Sequence, residues 1–300
     1  MFDSILVPTD GSEHATRAAE HGAALARAFS ASLHVMAVID TRTAGGPFSG
    51  GDLEDETLDR MTADAEDTVT AITDAVDAAG AIQTTIRTGN PADEICAYRD
   101  DHDIDLIAMG THGRTGVGRY LAGSVTESVV RHADVPVFTV RATEQSRKTD
   151  SYDDILVPTD GSTAATAAVE PACEIAAQFD SRLHALNVVN LGDVATGSEY
   201  TLPTDLIDTL ETQGEKVTER IAARARESGV ETVTQVVDGF PAADILDYAE
   251  ENDIDLIVMG TAGRTGLNRF IMGSTTERLI RHADMPVLAV NARDQRVDEA

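Results

Sequence analysis

Tryptophan is absent from this chain of 300 residues, aromatic side chains make up only 4% of it, and there are just two cysteines. Cys96 and Cys173 share no CxxC spacing, so they supply neither a disulfide framework nor a thiolate metal site, and both read as small buried hydrophobes. Lysine is almost missing too: Lys148 and Lys216 stand alone among 23 basic residues, against 52 acids and a net charge of −29. A protein that grips phosphate backbones needs clustered lysine and arginine, so nucleic acid is excluded as an expected partner. No run approaches the roughly eighteen apolar residues that a membrane span requires, and no basic start leads into an apolar stretch. The expectation is a cytoplasmic protein with no membrane partner.

The acids are spread over amphipathic stretches rather than gathered in a tail. In "GGDLEDETLDRMTADAEDTVTAITDAVDAAG", Leu58, Met61, Ala65, Val69, Ile72 and Val76 keep a 3-4 spacing along one face, while acids and threonines fill the other. That is a solvated outer face. An acidic surface of this extent suits a salt-rich cell interior, because at molar salt the Debye length is only about 3 Å and self-repulsion is screened.

The chain is one unit written twice. "ILVPTDGS" from Ile5 recurs letter for letter from Ile155, "DIDLIAMGTHGRTG" from Asp103 recurs as "DIDLIVMGTAGRTG" from Asp253, and "RHADVPVFTV" from Arg131 answers "RHADMPVLAV" from Arg281, all at an offset of 150 residues. The reading is a first domain over 1–143, a polar linker over 144–152 and a second domain over 153–293.

Each copy alternates short apolar runs with helical patterns. In the first, strands are expected at "SILVPT", "SLHVMAVI", "IQTTIR", "DLIAMG" and "VPVFTV". Helices are expected from Glu13 to Phe29, along the amphipathic stretch above, after Pro91 and from Ser124. Such alternation predicts an α/β fold, a parallel sheet covered by helices on both faces, twice over. In these sheets ligands bind beyond the carboxyl ends of the strands, where the winding reverses. The most faithfully repeated segments, "PTDGS" and "MGTHGRTG", lie just past the first and fourth strands, and they line one crevice if those strands are neighbours.

The second of these segments is rich in glycine. Gly110 and Gly113 follow a strand and Gly123 precedes a helix, the arrangement in which backbone amides and a helix N-terminus meet an anion. The repeat keeps them as Gly260, Gly263 and Gly273, keeps Gly116 as Gly266, and replaces Gly118 with Asn268, which predicts positive φ at 118 and 268. Ser124 and Glu127, like Ser274 and Glu277, spell S-x-x-E and predict a capping box. Neither a P-loop nor a Rossmann fingerprint fits: no lysine lies near a glycine loop, and Leu121 occupies the third Rossmann position.

P-T-D after the first strand, together with G-x2-G-x9-G-[ST] after the fourth, resembles the nucleotide-binding subgroup of the universal stress protein family, over essentially the whole chain and once per copy. The resemblance implies two tandem doubly wound five-stranded sheets in the order 3-2-1-4-5, akin to the adenine-nucleotide alpha-hydrolase fold, each with ATP in the crevice between strands 1 and 4. On this resemblance Pro8, Thr9 and Asp10 border adenine and ribose, Val38 offers its backbone to the adenine edge, and Met109, Gly110, Gly113, Gly123, Ser124, Val125 and Thr126 wrap ribose and phosphates. The second set is Pro158, Thr159, Asp160, Val188, Met259, Gly260, Gly263, Gly273, Ser274, Thr275 and Thr276. Asn187 and Asn190 stand where the first copy has Ala37 and Asp40, a departure at the second adenine edge. Mg²⁺, where present, is reached through phosphates and water. A polyanion entering a protein of this charge also needs local cations, and Arg114 and Arg264 are assigned to the phosphates, with surface acids as their competing partners.

The histidines carry less. His112 lies in the loop, but its counterpart is Ala262, so a reaction relying on it would run in one copy only. His132 and His282 close a helix whose negative end they suit, and His34 and His184 fall inside a strand and read as core. Neither copy shows a Ser-His-Asp set or a glutamate placed to orient water, so no catalytic or metal-ligating residue is assigned. The expectation is an ATP-binding stress-response or regulatory protein. Slow ATP hydrolysis, nucleotide transfer or a vestigial pocket are its rivals. In this family the last strands pair across a dimer, which implies an intrachain pseudo-dimer and, beyond it, a homodimer of chains.

Overall fold

The computed structural model describes residues 2–40, 55–76, 80–113, 123–147, 150–190, 204–262 and 272–292. It divides into two compact units, one built from the first 150 residues and one from Ser151 onward, apart from a short exchange at 284–286.

The first unit runs β1 (Ser4–Thr9), α1 (Glu13–Phe29), β2 (Ser32–Ile39), α2 (Asp55–Ala75), β3 (Ile82–Thr88), α3 (Pro91–Asp101), β4 (Leu106–Gly110), α4 (Ser124–His132) and β5 (Val137–Val140). Its sheet has the order β3-β2-β1-β4-β5, with every neighbouring pair parallel. β1 pairs with β4 through Ile5 opposite Leu106 and Leu6 opposite Ile107. The chain therefore winds outward from β1 to β3, then returns to the other side of β1, and the winding reverses between β1 and β4. β5 starts only after Pro136, which has no N–H for the ladder but lends its carbonyl to the Ile107 amide.

Burial explains the strand composition. Ile5, Leu6, Val7, Leu106, Ile107 and Ala108 have no exposed surface, as strands covered on both faces require. Trimming one such leucine or isoleucine to alanine costs about 2–5 kcal/mol. α1 rides close to the sheet on small residues: Ala15, Ala18, Ala19, Ala23 and Ala26 are buried, and a Cβ on Gly22 would lie 2.9 Å from Val7 Cγ2. On α2 only part of the expected stripe is sealed. Val69 and Ile72, with Val76 just past the helix, are buried, while Leu58, Met61 and Ala65 are half-exposed.

The second unit repeats the plan: β6 (Asp154–Pro158), α5 (Thr163–Thr166), α6 (Val169–Phe179), β7 (Arg182–Asn190), α7 (Thr204–Glu227), β8 (Glu231–Gly239), α8 (Pro241–Glu251), β9 (Leu256–Gly260), α9 (Ser274–His282) and β10 (Val287–Val290). Its sheet order, β8-β7-β6-β9-β10, is the same 3-2-1-4-5. One helix differs. Where the first unit has the single α1, the second breaks into α5 and α6 at Ala167 and Ala168. Pro171 is the cause: it has no amide to give Ala167, and its ring crowds that carbonyl.

The 144–152 stretch read as a linker is anchored at both ends. A 3₁₀ turn, Gln145–Arg147, buries Ser146, whose hydroxyl donates to the Arg141 carbonyl at 2.6 Å. Tyr152 is fully buried and meets Phe179 edge-on, with ring centroids 5.0 Å apart. Cys173 is buried, which pushes its thiol up to about 11, whereas Cys96 is only half-buried. No described helix is long and apolar enough to cross a membrane.

Candidate functional site

Both units build the same turn after their first strand. Thr9 is buried at the end of β1, and its Oγ1 accepts the Gly11 amide at 3.1 Å. Asp10 Oδ1 accepts the Ser12 amide at 3.0 Å, and Ser12 Oγ in turn accepts the Ala15 amide at 3.2 Å as the N-cap of α1. Thr159, Asp160 and Ser162 make the same three bonds at 3.1, 2.9 and 3.1 Å. P-T-D-G-S is thus a run of side-chain oxygens, each satisfying an amide two or three residues on. The glycine is required because φ is 73° at Gly11 and 79° at Gly161.

The loop after β4 meets this turn. Ser12 Oγ donates to the His112 carbonyl at 3.3 Å, and a Cβ on Gly113 would lie 2.5 Å from Asp10 Oδ2. The glycine is what lets the loop backbone reach the carboxylate. At Gly110 a Cβ would lie 2.6 Å from the His14 carbonyl carbon, and at Gly260 one would lie 2.2 Å from the Ala164 carbonyl oxygen. These two glycines are therefore needed where β4 and β9 end against a helix N-terminus, a packing reason beyond any ligand. Arg114, Gly116, Gly118, Gly263, Arg264, Gly266 and Asn268 lie outside the described residues, and with them the expected positive φ at 118 and 268.

The capping box is not formed. Gly123 and Gly273 are the N-caps of α4 and α9, and no side chain caps either end. Ser124 and Ser274 already stand inside the helix, so their hydroxyls miss the capping position. Glu127 and Glu277 instead pair with Arg131 and Arg281 one turn on. What anchors these helices is threonine. Thr126 Oγ1 donates to the Gly110 carbonyl at 2.7 Å and Thr276 Oγ1 to the Gly260 carbonyl at 3.0 Å, both residues being buried. Their hydroxyls are spent on the strand end, and the first-turn amides of each helix are left with no side-chain cap.

In the second unit these pieces enclose a cavity of about 410 Å³. The end of β6 and the turn after it supply Pro158, Thr159 and Asp160, β7 supplies Val188, β9 supplies Met259 and Gly260, and the start of α9 supplies Gly273, Ser274, Thr275 and Thr276. The motif reading missed the opposite wall, where α7 brings Leu210, Gln213 and Gly214 and α8 brings Pro241 and Ile245. One signal for it was available: glycine is costly inside a helix, and a Cβ on Gly214 would lie 2.5 Å from Asn187 Oδ1. Asn187 is buried and its Nδ2 donates to the Thr159 carbonyl at 2.7 Å, while Asn190 lines the cavity beside Val189. Apolar side chains thus form one part of the wall. Asp160 is the only ionisable side chain among the described lining residues, and among these the positive potential comes from main-chain amides and the α9 dipole.

The first unit brings Pro8, Thr9, Asp10, Val38, Met109, Gly110, Gly113 and the start of α4 to the same end of its sheet. Besides Ala37, Asp40 and Val125, which stand against Asn187, Asn190 and Thr275, it carries two histidines that the second unit lacks. His14 and His112 stand where the second unit has Ala164 and Ala262, their ring centroids 5.1 Å apart. The remaining histidines lie elsewhere. His34 and His184 are buried in β2 and β7 against Tyr98 and Tyr248, each at 2.9 Å, and His132 Nδ1 donates to the Ser128 carbonyl at 2.7 Å in the last turn of α4.

A family model described as "Universal stress protein family" matches twice, over residues 1–141 and 151–291. The chain belongs to the universal stress protein family. A universal stress protein of Methanocaldococcus jannaschii is 40% identical over 143 residues, which is 46% of this chain and 82% of that protein. The Bacillus subtilis universal stress protein YxiE is 31% identical over 146 residues, 46% of this chain and 99% of its own length. Each of these relatives therefore matches about half of the chain. The crystal structure of a universal stress protein from Archaeoglobus fulgidus superposes over 97% of both chains, with a TM-score of 0.69 and 26% identity. That structure is similar in its whole length to this tandem universal stress protein.

Proposed function

We propose that this universal stress protein binds ATP, one molecule per unit, and that occupancy sets its conformation or its choice of partner rather than feeding rapid turnover. The observation that carries this reading is the convergence of both repeated motifs on one cavity whose polar end is a helix N-terminus without a side-chain cap. Its volume, about 410 Å³, is in the range of small-molecule sites, about 300–1,000 Å³. Leu186, Val188, Leu210 and Ile245 offer an apolar wall to a base, Asp160 offers its carboxylate to a ribose hydroxyl, and the first amides of α9 face the phosphates. Asp10 and the start of α4 take these roles in the first unit. In this reading Mg²⁺, where present, is carried on the phosphates and water. Arg114 and Arg264 are assigned to the phosphates on charge grounds alone.

The same reading makes the protein cytoplasmic and adapted to high salt, and it pairs the two units as an intrachain pseudo-dimer that can dimerise further. Light scattering at high salt tests the last point by separating one chain of 31.8 kDa from two. Slow hydrolysis is the rival for the pocket. A single-turnover rate in wild type no faster than in Gly123→Val favours the binder. The deciding experiment is to extract and count nucleotide from protein freshly purified in high salt. Close to two ATP per chain is expected; none bound, with no uptake on titration, overturns the proposal.

A further inference from the structure

The two candidate sites share a motif but not their phosphate-side chemistry. In the second unit Ala262 lines the cavity. The repeat puts His112 at that position in the first unit, and His14 replaces Ala164 directly behind it. The two substitutions make a pair: the rings lie 5.1 Å apart at 40°. Each ring is oriented. His14 Nδ1 accepts the Ala142 amide at 2.9 Å, which puts the proton of the neutral ring on Nε2. His112 Nδ1 meets Thr111 Oγ1 at 3.0 Å. Burial lowers His14 from the usual histidine value and so favours its neutral form. The charged groups described around His14 are Asp10 just after β1, Glu13 in α1 and Arg141 after β5; the two acids favour a protonated ring at His14 and the arginine opposes it.

We propose that His112 is a phosphate-contacting residue of the first site, positioned by His14, and that it makes this site alone bind polyphosphate more tightly as the pH falls through the histidine range. The inference rests on the reading that both sites take ATP. The sign follows from linkage: an anion stabilises the imidazolium, so the complex takes up a proton that the apo site lacks, and affinity rises as protons become available. If a phosphate raises the ring from about 6.5, the ordinary histidine value, by about one pKa unit, the first site gains about sixfold in affinity between pH 8 and pH 6. Protonation of ATP itself acts on both sites alike and cancels when the sites are compared.

The test is calorimetric titration of the full-length protein with ATP at pH 6 and pH 8 in 2 M KCl, in two buffers of different ionisation enthalpy. Wild type should show two site classes at pH 6 that converge at pH 8, with extra proton uptake on filling one of them. His112→Ala, which gives the first site the residue the second already carries, should make any difference between the two sites independent of pH and abolish the extra uptake. The double variant Ala164→His with Ala262→His should confer the pH response on the second site. If ATP binds but wild type and His112→Ala respond identically to pH, the inference is overturned while the ATP reading stands. If ATP binds neither site at either pH, the ATP reading falls and the inference with it.

Discussion

His21 in α1 donates through Nε2 to the main-chain oxygen of Ser146, at 2.8 Å, joining residues 125 positions apart. The ring is fully buried and packs against Phe138 at a centroid distance of 5.5 Å. Desolvation by burial, ahead of the nearby Arg17, lowers it to about 4. In the unfolded chain it titrates near 6.5. The unfolded state therefore takes up the proton first: the contribution is complete above pH 6.5 and is lost as the pH falls from about 6.5 to about 4. At about 1.4 kcal/mol per pKa unit the loss amounts to about 3 kcal/mol. Urea melts of wild type and His21→Gln should converge over this window, since the many carboxylates are common to both. A pH-independent difference between them would refute the assignment.

Gly110→Ala should destabilise the first unit by about 1–3 kcal/mol, the usual cost of overpacking, because the new methyl meets the backbone of His14 and Ala15 rather than a movable side-chain tip. Gly80→Ala should be nearly neutral, as among the described residues beyond its chain neighbours no atom lies within 4 Å of its Cβ position. Calorimetric melting temperatures of the two variants should differ by several degrees.

Thr126→Val keeps the shape of the side chain but removes the donor to the Gly110 carbonyl. A loss of about 1–2 kcal/mol in stability is expected, together with weaker ATP binding, since α4 would no longer be pinned to the end of β4. Unchanged melting in the valine variant would show that the clamp contributes nothing.

With a net charge of −29, the folded protein should melt at a clearly higher temperature in 3 M KCl than in 0.1 M. Potassium chloride is informative here because it screens charge with little of the surface exclusion that sulfate brings. Equal melting temperatures would remove self-repulsion as a determinant of stability.

Local chemistry was legible in the sequence wherever it was decided locally. β1, α1 and β2 begin and end where the apolar runs "SILVPT" and "SLHVMAVI" and the helical pattern from Glu13 to Phe29 put them, and the structure adds the Ser12 cap and Ser30, whose φ of 57° closes the helix. The crevice was legible because both halves of the chain state it. The capping box failed by one residue: Gly123 already takes the N-cap position, so Ser124 falls inside α4 and Glu127 turns to Arg131. Gly110 has a second reason that the motif did not show, since the helix that forbids a side chain there is 96 positions away in the chain. The wall made by Leu210 and Ile245 was illegible for a related reason: amphipathic spacing says that a helix has a buried face, not which cavity that face closes.

Pro171 has a consequence for the order of the halves. It occupies the repeat position of His21, so the residue that breaks the helix in the second unit also removes the ring that holds Ser146 in the first. Each half is therefore suited to its place in the chain. A gene in which the halves were exchanged would encode the same two folds, but the segment leaving its leading half would find a proline where it needs a hydrogen-bond donor. The tandem has a direction, written in one side chain.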